Sequence, residues 1–138
     1  MTTVHQQTIF VNLATRDLDA ARSFFAELGF PADDAFSDGT TAAIPLGDTV
    51  HVMFHTHAKY AEFTKKTIVD SSSDSEVLLA LSAAGREEVD ALVARAVAAG
   101  GSVTGEPQDH GFMYGRAFDD PDGHTWEVMW MDPTAAQE

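Results

Sequence analysis

Apolar and polar residues alternate over residues 8–13, TIFVNL, with Ile9, Val11 and Leu13 on one face and Phe10 and Asn12 on the other. A period of two predicts a strand. Leu18, Ala21, Phe25 and Leu28 then recur at helical spacing, between Asp17 as N-cap and Gly29 as the residue that ends the helix. Residues 36–46 carry Gly, Thr and Pro45 among scattered apolar positions, the mark of an edge strand. Gly47-Asp48 turns the chain into a strand over 49–56, whose faces are Val50, Val52 and Phe54 against His51, Met53 and His55. A short helix is expected over 57–67, and the polar run DSSSDSE, 70–76, reads as a connector. The plan then restarts. Residues 77–82 form an apolar strand, and Val89, Leu92, Val93, Ala96 and Val97 mark a helix closed by Gly100-Gly101. Strands are expected over 102–105 and 111–119, and the turn Asp120-Pro121-Asp122-Gly123 leads into a last strand from His124 onward. That strand sets Trp126, Val128 and Trp130 on one face and Thr125, Glu127, Met129 and Met131 on the other, with a frayed tail after Asp132.

The two halves are related. GDTVHVMF, 47–54, and GHTWEVMW, 123–130, share Gly, Thr, Val and Met at four of eight positions, and an aromatic residue closes each. Each half also opens with a strand and a helix ending in glycine. An internal duplication of a βαβββ unit accounts for this, and it makes His51 the counterpart of Glu127. The fold class expected is α+β: one domain of two paired βαβββ modules, about 5–67 and 76–132, whose curled mixed sheets form a cleft.

The charge narrows the choice of partner. Lys and Arg total 8 against 22 Asp and Glu, a formal net charge of -14. Nucleic acid and anionic membrane both call for a basic footprint, so neither is expected as a partner; a neutral or cationic small molecule is. Without cysteine there is no disulfide, thiolate nucleophile or thiolate zinc site. No apolar run approaches the roughly 18 residues of a spanning helix, and a cytoplasmic location is expected.

The openings IFVNLATRDLDAARSFFAELGF and LLALSAAGREEVDALVARAVAAGG, with DDPDGHTWEVMW closing the second half, resemble the vicinal oxygen chelate superfamily. That superfamily includes glyoxalase I, bleomycin resistance proteins and extradiol dioxygenases. The resemblance spans nearly the whole chain and implies the paired βαβββ fold and a homodimer. It leaves activity open, because the fold hosts several chemistries.

In metal-dependent members the pattern carries one ligand on the first strand and one on the last strand of each unit. The resemblance therefore implies His51 and Glu127 as metal ligands here, while the opening positions fall at about Phe10 and Leu78, which bind no cation. A site takes three or four protein ligands, so half the set is missing. Asn12, His5, His55 and His57 are the available substitutes, although His55 lies roughly 13 Å from His51 along a strand. The blander reading of His51 and Glu127 is a hydrogen-bonded polar pair. His55 and His57 read as solvated residues, and Trp126 and Trp130 as core.

A small-molecule pocket is expected to use Asn12, Met53 and Met129 from the strands. The loop DHGFMYGR, 109–116, would add His110, Tyr114 and Arg116 as a titratable donor, a hydroxyl and a fixed cation. The favoured function is binding of a small organic molecule in an aromatic, acidic cleft, with no cofactor. The alternative is a lyase or isomerase of the lactoylglutathione lyase type, with a divalent metal (nickel, zinc, manganese or iron) and Glu127 as catalytic base or ligand.

Overall fold

The first strand, β1 (Ile9–Thr15), runs into Thr15 and Asp17, whose side chains organise the turn before α1 (Leu18–Leu28). In the computed structural model, which describes residues 3–135, the Asp17 carboxylate accepts from the Ala20 N–H at 3.0 Å. This satisfies one of the orphan donors at the helix start. Gly29, at φ 109°, ends α1 in the left-handed conformation, with its N–H donating to the carbonyls of Phe25 and Ala26. Ala21, Phe24, Phe25 and Leu28 are buried. They cover one face of a three-stranded sheet ordered β1-β3-β2, made with β2 (Thr41–Pro45) and β3 (Val50–Thr56). β1 runs parallel to β3 and β2 antiparallel to it. Phe54 meets Phe25 at a ring separation of 5.3 Å, which identifies the even-numbered positions of β3 as the helix face.

The first half is therefore βαββ, and the fourth strand expected of it is absent among the described residues. A 3-10 helix, Asp34–Phe36, stands between α1 and β2, capped by the Asp33 carboxylate on the Ala35 N–H. The loop closes the edge that another strand would hold. Asp33 N–H donates to the Ala43 carbonyl at 2.8 Å, and Ala43 N–H donates to the Ser37 hydroxyl at 3.0 Å. With the edge bonds taken, β2 offers no template for further pairing. The helix expected over 57–67 is a single turn, α2 (His57–Tyr60), and the chain continues in turns through Phe63.

The chain divides into two compact units between Ile68 and Val69. In the second, β4 (Leu78–Ser82), α3 (Arg86–Ala98), β5 (Ser102–Asp109), β6 (Met113–Asp119) and β7 (Thr125–Met131) make a full βαβββ arrangement, with the sheet ordered β4-β7-β6-β5. β5 is longer than expected because it continues beyond an irregularity between Thr104 and Gln108. Val89, Leu92, Val93 and Ala96 of α3 are buried, as are Phe118, Trp126 and Val128 of the sheet. In both units the odd-even division read from the sequence holds along the closing strand. The tail expected after Asp132 lies outside the described residues from position 136.

The turn before β7 depends on Gly123, at φ 92°, where a Cβ would stand 2.6 Å from the Ser71 carbonyl oxygen and 2.7 Å from Ser72 Cα. Backbone atoms cannot yield as a flexible side chain would. Gly123→Ala is expected to cost about 2 kcal/mol from the left-handed conformation and the contact together. A urea titration showing less than a few tenths of a kcal/mol would contradict this packing.

Candidate functional site

Each sheet has one face against its helix and one turned away from it, and the sequence-predicted residues divide between them. On the open face of the first sheet, strand register sets Phe10 beside His51, Asn12 beside Met53 and Ala14 beside His55. From the other side, Pro45 neighbours His51, Ala43 neighbours Met53 and Thr41 neighbours His55. Phe10 and His51 stack at 5.1 Å with their planes 16° apart. Together with Phe36, Ala43, Pro45 and Met53 they line an apolar pocket of about 290 Å³.

His55 departs from the solvated residue expected of it. It is buried, with Nδ1 2.7 Å from the Thr41 hydroxyl and Nε2 2.7 Å from Asn12 Oδ1. Tyr60 and Phe63 approach its ring edge-on at 6.5 and 5.0 Å. Burial, with help from the Lys59 charge and against that of Asp38, lowers its pKa below the usual 6.5. The chain segment that covers it is remote from it in strand pattern, so nothing in the alternation of β3 signals the burial.

On the open face of the second sheet, Glu127 is half-buried and stands between Ala80 of β4 and Ala117 of β6. The register thus puts Ala80, not Leu78, beside Glu127; Leu78 pairs with Thr125. Met129 neighbours Gly115, and a pocket of about 270 Å³ is lined by Glu106, His110, Met113, Glu127 and Met129 among others. His110 is exposed and lies 6.4 Å from the Phe112 ring.

Tyr114 and Arg116 take the helix side of β6. The Tyr114 hydroxyl donates to Asp90 of α3 at 2.7 Å, and Arg116 Nη1 donates to the same oxygen at 3.1 Å. Arg116 borders the Glu127 pocket, but its guanidinium is engaged on α3. The shared Asp90 is held below its ordinary pKa by the Tyr114 hydroxyl and by Arg116, and Tyr114 is raised in turn by Asp90. Phe118 is core, and residues two and four before it on a strand must share its side. That parity was available in the sequence.

A residue that sequence reasoning passed over, Arg86, ties the 109–113 loop to α3. It donates in bidentate fashion to Asp109 at 2.8 and 2.9 Å and to the Gly111 carbonyl at 2.9 Å. Its guanidinium also lies over the rings of Tyr114 and Trp130, at 5.2 and 5.3 Å. Arg86 pulls the Asp109 carboxyl down to about 2.

Among the described residues, one trio has candidate metal-ligand atoms within 4.8 Å of one another: Asp120, Asp122 and His124. The Asp120 carboxylate is already in use. It accepts from the N–H groups of Asp122 and His124 at 3.0 Å and from the Trp126 indole N–H at 3.0 Å. The trio is the framework of the turn.

A mixed α+β fold of two open sheets, each backed by a helix, is the architecture of the glyoxalase group. Residues 7–128 match the family model for the Glyoxalase/Bleomycin resistance protein/Dioxygenase superfamily, and the chain belongs to that superfamily. No match is found among curated proteins. Among solved structures, the chain is similar to hypothetical protein SA1046 from S. aureus at 28% identity, with 92% of this chain and 95% of that one covered and a TM-score of 0.78. A glyoxalase-related enzyme from Fulvimarina pelagi is 23% identical over 91% and 88% of the two chains, with a TM-score of 0.77. The bleomycin resistance determinant encoded on transposon Tn5 is 20% identical over 92% and 99%, with a TM-score of 0.63. At such identities the last two likenesses concern the fold.

Proposed function

We propose that the chain binds a small organic molecule and lacks a complete protein ligand set for a catalytic metal. One observation carries this reading: His51 is flanked in its sheet by Phe10 and Pro45, and Glu127 in its sheet by Ala80 and Ala117. Neither candidate ligand has a second ligand as its strand neighbour, whereas a site needs three or four at fixed geometry. The donor set present does not fit the metal that the superfamily implies. What the open faces do offer suits binding. In the first unit Phe10, Phe36, His51 and Met53 favour a flat apolar group, and in the second unit, in a pocket of its own, the carboxylates of Glu106 and Glu127 favour a positive one.

The test is metal content after purification, then titration with nickel, zinc, manganese and iron. Less than stoichiometric metal, and thermal stabilisation by flat organic cations rather than by thiol adducts, is the expected result. Stoichiometric metal that is abolished by Glu127→Ala would overturn it in favour of a lyase.

A further inference from the structure

We infer that His55 is a positioning residue that fixes the Asn12 carboxamide with its NH2 group outward, so that the bound molecule is recognised through a hydrogen-bond acceptor such as a ketone oxygen. The inference rests on the small-molecule reading of the open sheet face and deepens it. Asn12 is exposed on that face, two residues along β1 from the stacked Phe10–His51 pair. An asparagine amide torsion is broad and twofold, so a free Asn12 would present oxygen or NH2 with little preference.

The buried ring removes that freedom. The Phe10 carbonyl, 3.4 Å from the amide, can only accept, which places Nδ2 on that side and Oδ1 against His55 at 2.7 Å; the tautomer that matches this placement carries its proton on Nε2. A neutral imidazole then has a bare Nδ1, and the Thr41 hydroxyl, 2.7 Å away and buried, donates to it. The charges near the ring are Lys59 on α2 and Asp38 in the loop before β2, and burial with Lys59 favours the neutral form. Turning the amide over would set Oδ1 against the Phe10 carbonyl, two acceptors facing each other, and would require the opposite tautomer of His55. Asn12 Nδ2 makes one long contact, 3.4 Å, to the Phe10 carbonyl, leaving its other N–H to meet a ligand. A ligand donor would meet a donor there; an acceptor would be satisfied.

The test has two arms. In the first, two-bond 1H–15N correlation on the wild-type protein at neutral pH reads the tautomer of His55. Protonated Nε2 and bare Nδ1 are expected; the reverse tautomer or a charged ring overturns the inference, whatever binds. In the second, 1-indanone and indane, which differ by one carbonyl, are titrated while the amide signals of Phe10 and Met53 are followed. Wild type is expected to prefer 1-indanone by about fivefold, the size of one neutral hydrogen bond. Asn12→Ala and His55→Leu should bring the ratio near one, and His55→Gln, which retains a donor at the Nε position, should restore it. An unchanged ratio in a folded Asn12→Ala or His55→Leu protein sinks the positioning role, while binding of both probes leaves the small-molecule reading standing. If neither probe shifts those signals, that reading fails and the inference with it. Should His55→Leu not fold, the tautomer and Asn12→Ala decide.

Discussion

Replacing Asp120 by alanine is expected to lower the unfolding free energy by about 3 kcal/mol, a fall in Tm of about 10 °C for a chain of this size. The carboxylate holds the N–H groups of Asp122 and His124 and the buried indole N–H of Trp126, and alanine removes all three of these hydrogen bonds. Trp126 is fully buried, so its N–H has no water to turn to. Against this stands the cost of the buried charge, which alanine relieves. That cost is visible in the pKa: burial pushes Asp120 up to about 6, despite the opposing pull of His124 and the Trp126 hydrogen bond. Asp120→Asn separates the two effects. An amide oxygen still serves the backbone donors, but its NH2 faces the indole N–H, and a loss of about 1–2 kcal/mol is expected.

The same residue gives stability a pH dependence of known sign. The folded pKa of Asp120, about 6, lies above the 3.8 of the unfolded chain. Between those values the folded state binds the extra proton, so this contribution rises as pH falls from above 6 toward 3.8, by about 3 kcal/mol at 1.36 kcal/mol per pH unit. His55 works in the opposite direction. Its folded pKa is below 6.5, so protonation of the unfolded chain draws stability away as pH falls below 6.5. Wild type alone mixes the two. The difference between wild type and Asp120→Asn, followed by denaturant unfolding from pH 7.5 to 4, isolates Asp120, and a flat difference would refute its raised pKa.

That Asp120 anchors the turn was half legible in the sequence. Asp-Pro-Asp-Gly announces a turn by chemistry that acts locally, and the alternation after it separates Trp126 from Glu127 without reference to any other element. The same local logic located the two long helices, α1 and α3, since an apolar stripe and a terminal glycine lie within one stretch of chain. It failed for the fourth strand of the first unit. There, hydrogen bonds from Asp33, Ser37 and Asp38 to β2 replace a strand, and such bonds leave no periodic trace. It failed for His55 because Tyr60 and Phe63 cover it from a later turn. The orientation of Tyr114 and Arg116 is a different kind of case. The composition of a glycine-flanked aromatic loop suggested a pocket, while the parity of Phe118 pointed those side chains toward α3. Parity, which is enforced by the pleat, outweighs composition, which is not.

The largest functional effect is expected at Glu127, the acid that the closing strand's pattern singles out. Proflavine, a flat cation, and acridone, a neutral molecule of the same ring shape, distinguish charge recognition from stacking. Glu127→Gln is expected to weaken proflavine about tenfold, or about 1.4 kcal/mol, and to leave acridone within about twofold. A carboxylate half-buried between two alanines is less screened than one in open water, so a loss of that size is reasonable for a single charge. The net charge of -14 would attract any cation weakly, and the control must cancel it. Glu87→Gln does so: it removes the same charge from an exposed position in the first turn of α3. If both substitutions weaken proflavine equally, the attraction belongs to the whole surface and Glu127 has no special part in binding. If only Glu127→Gln does, and the loss shrinks in 0.5 M salt by less than the background attraction does, the carboxylate is a local recognition group.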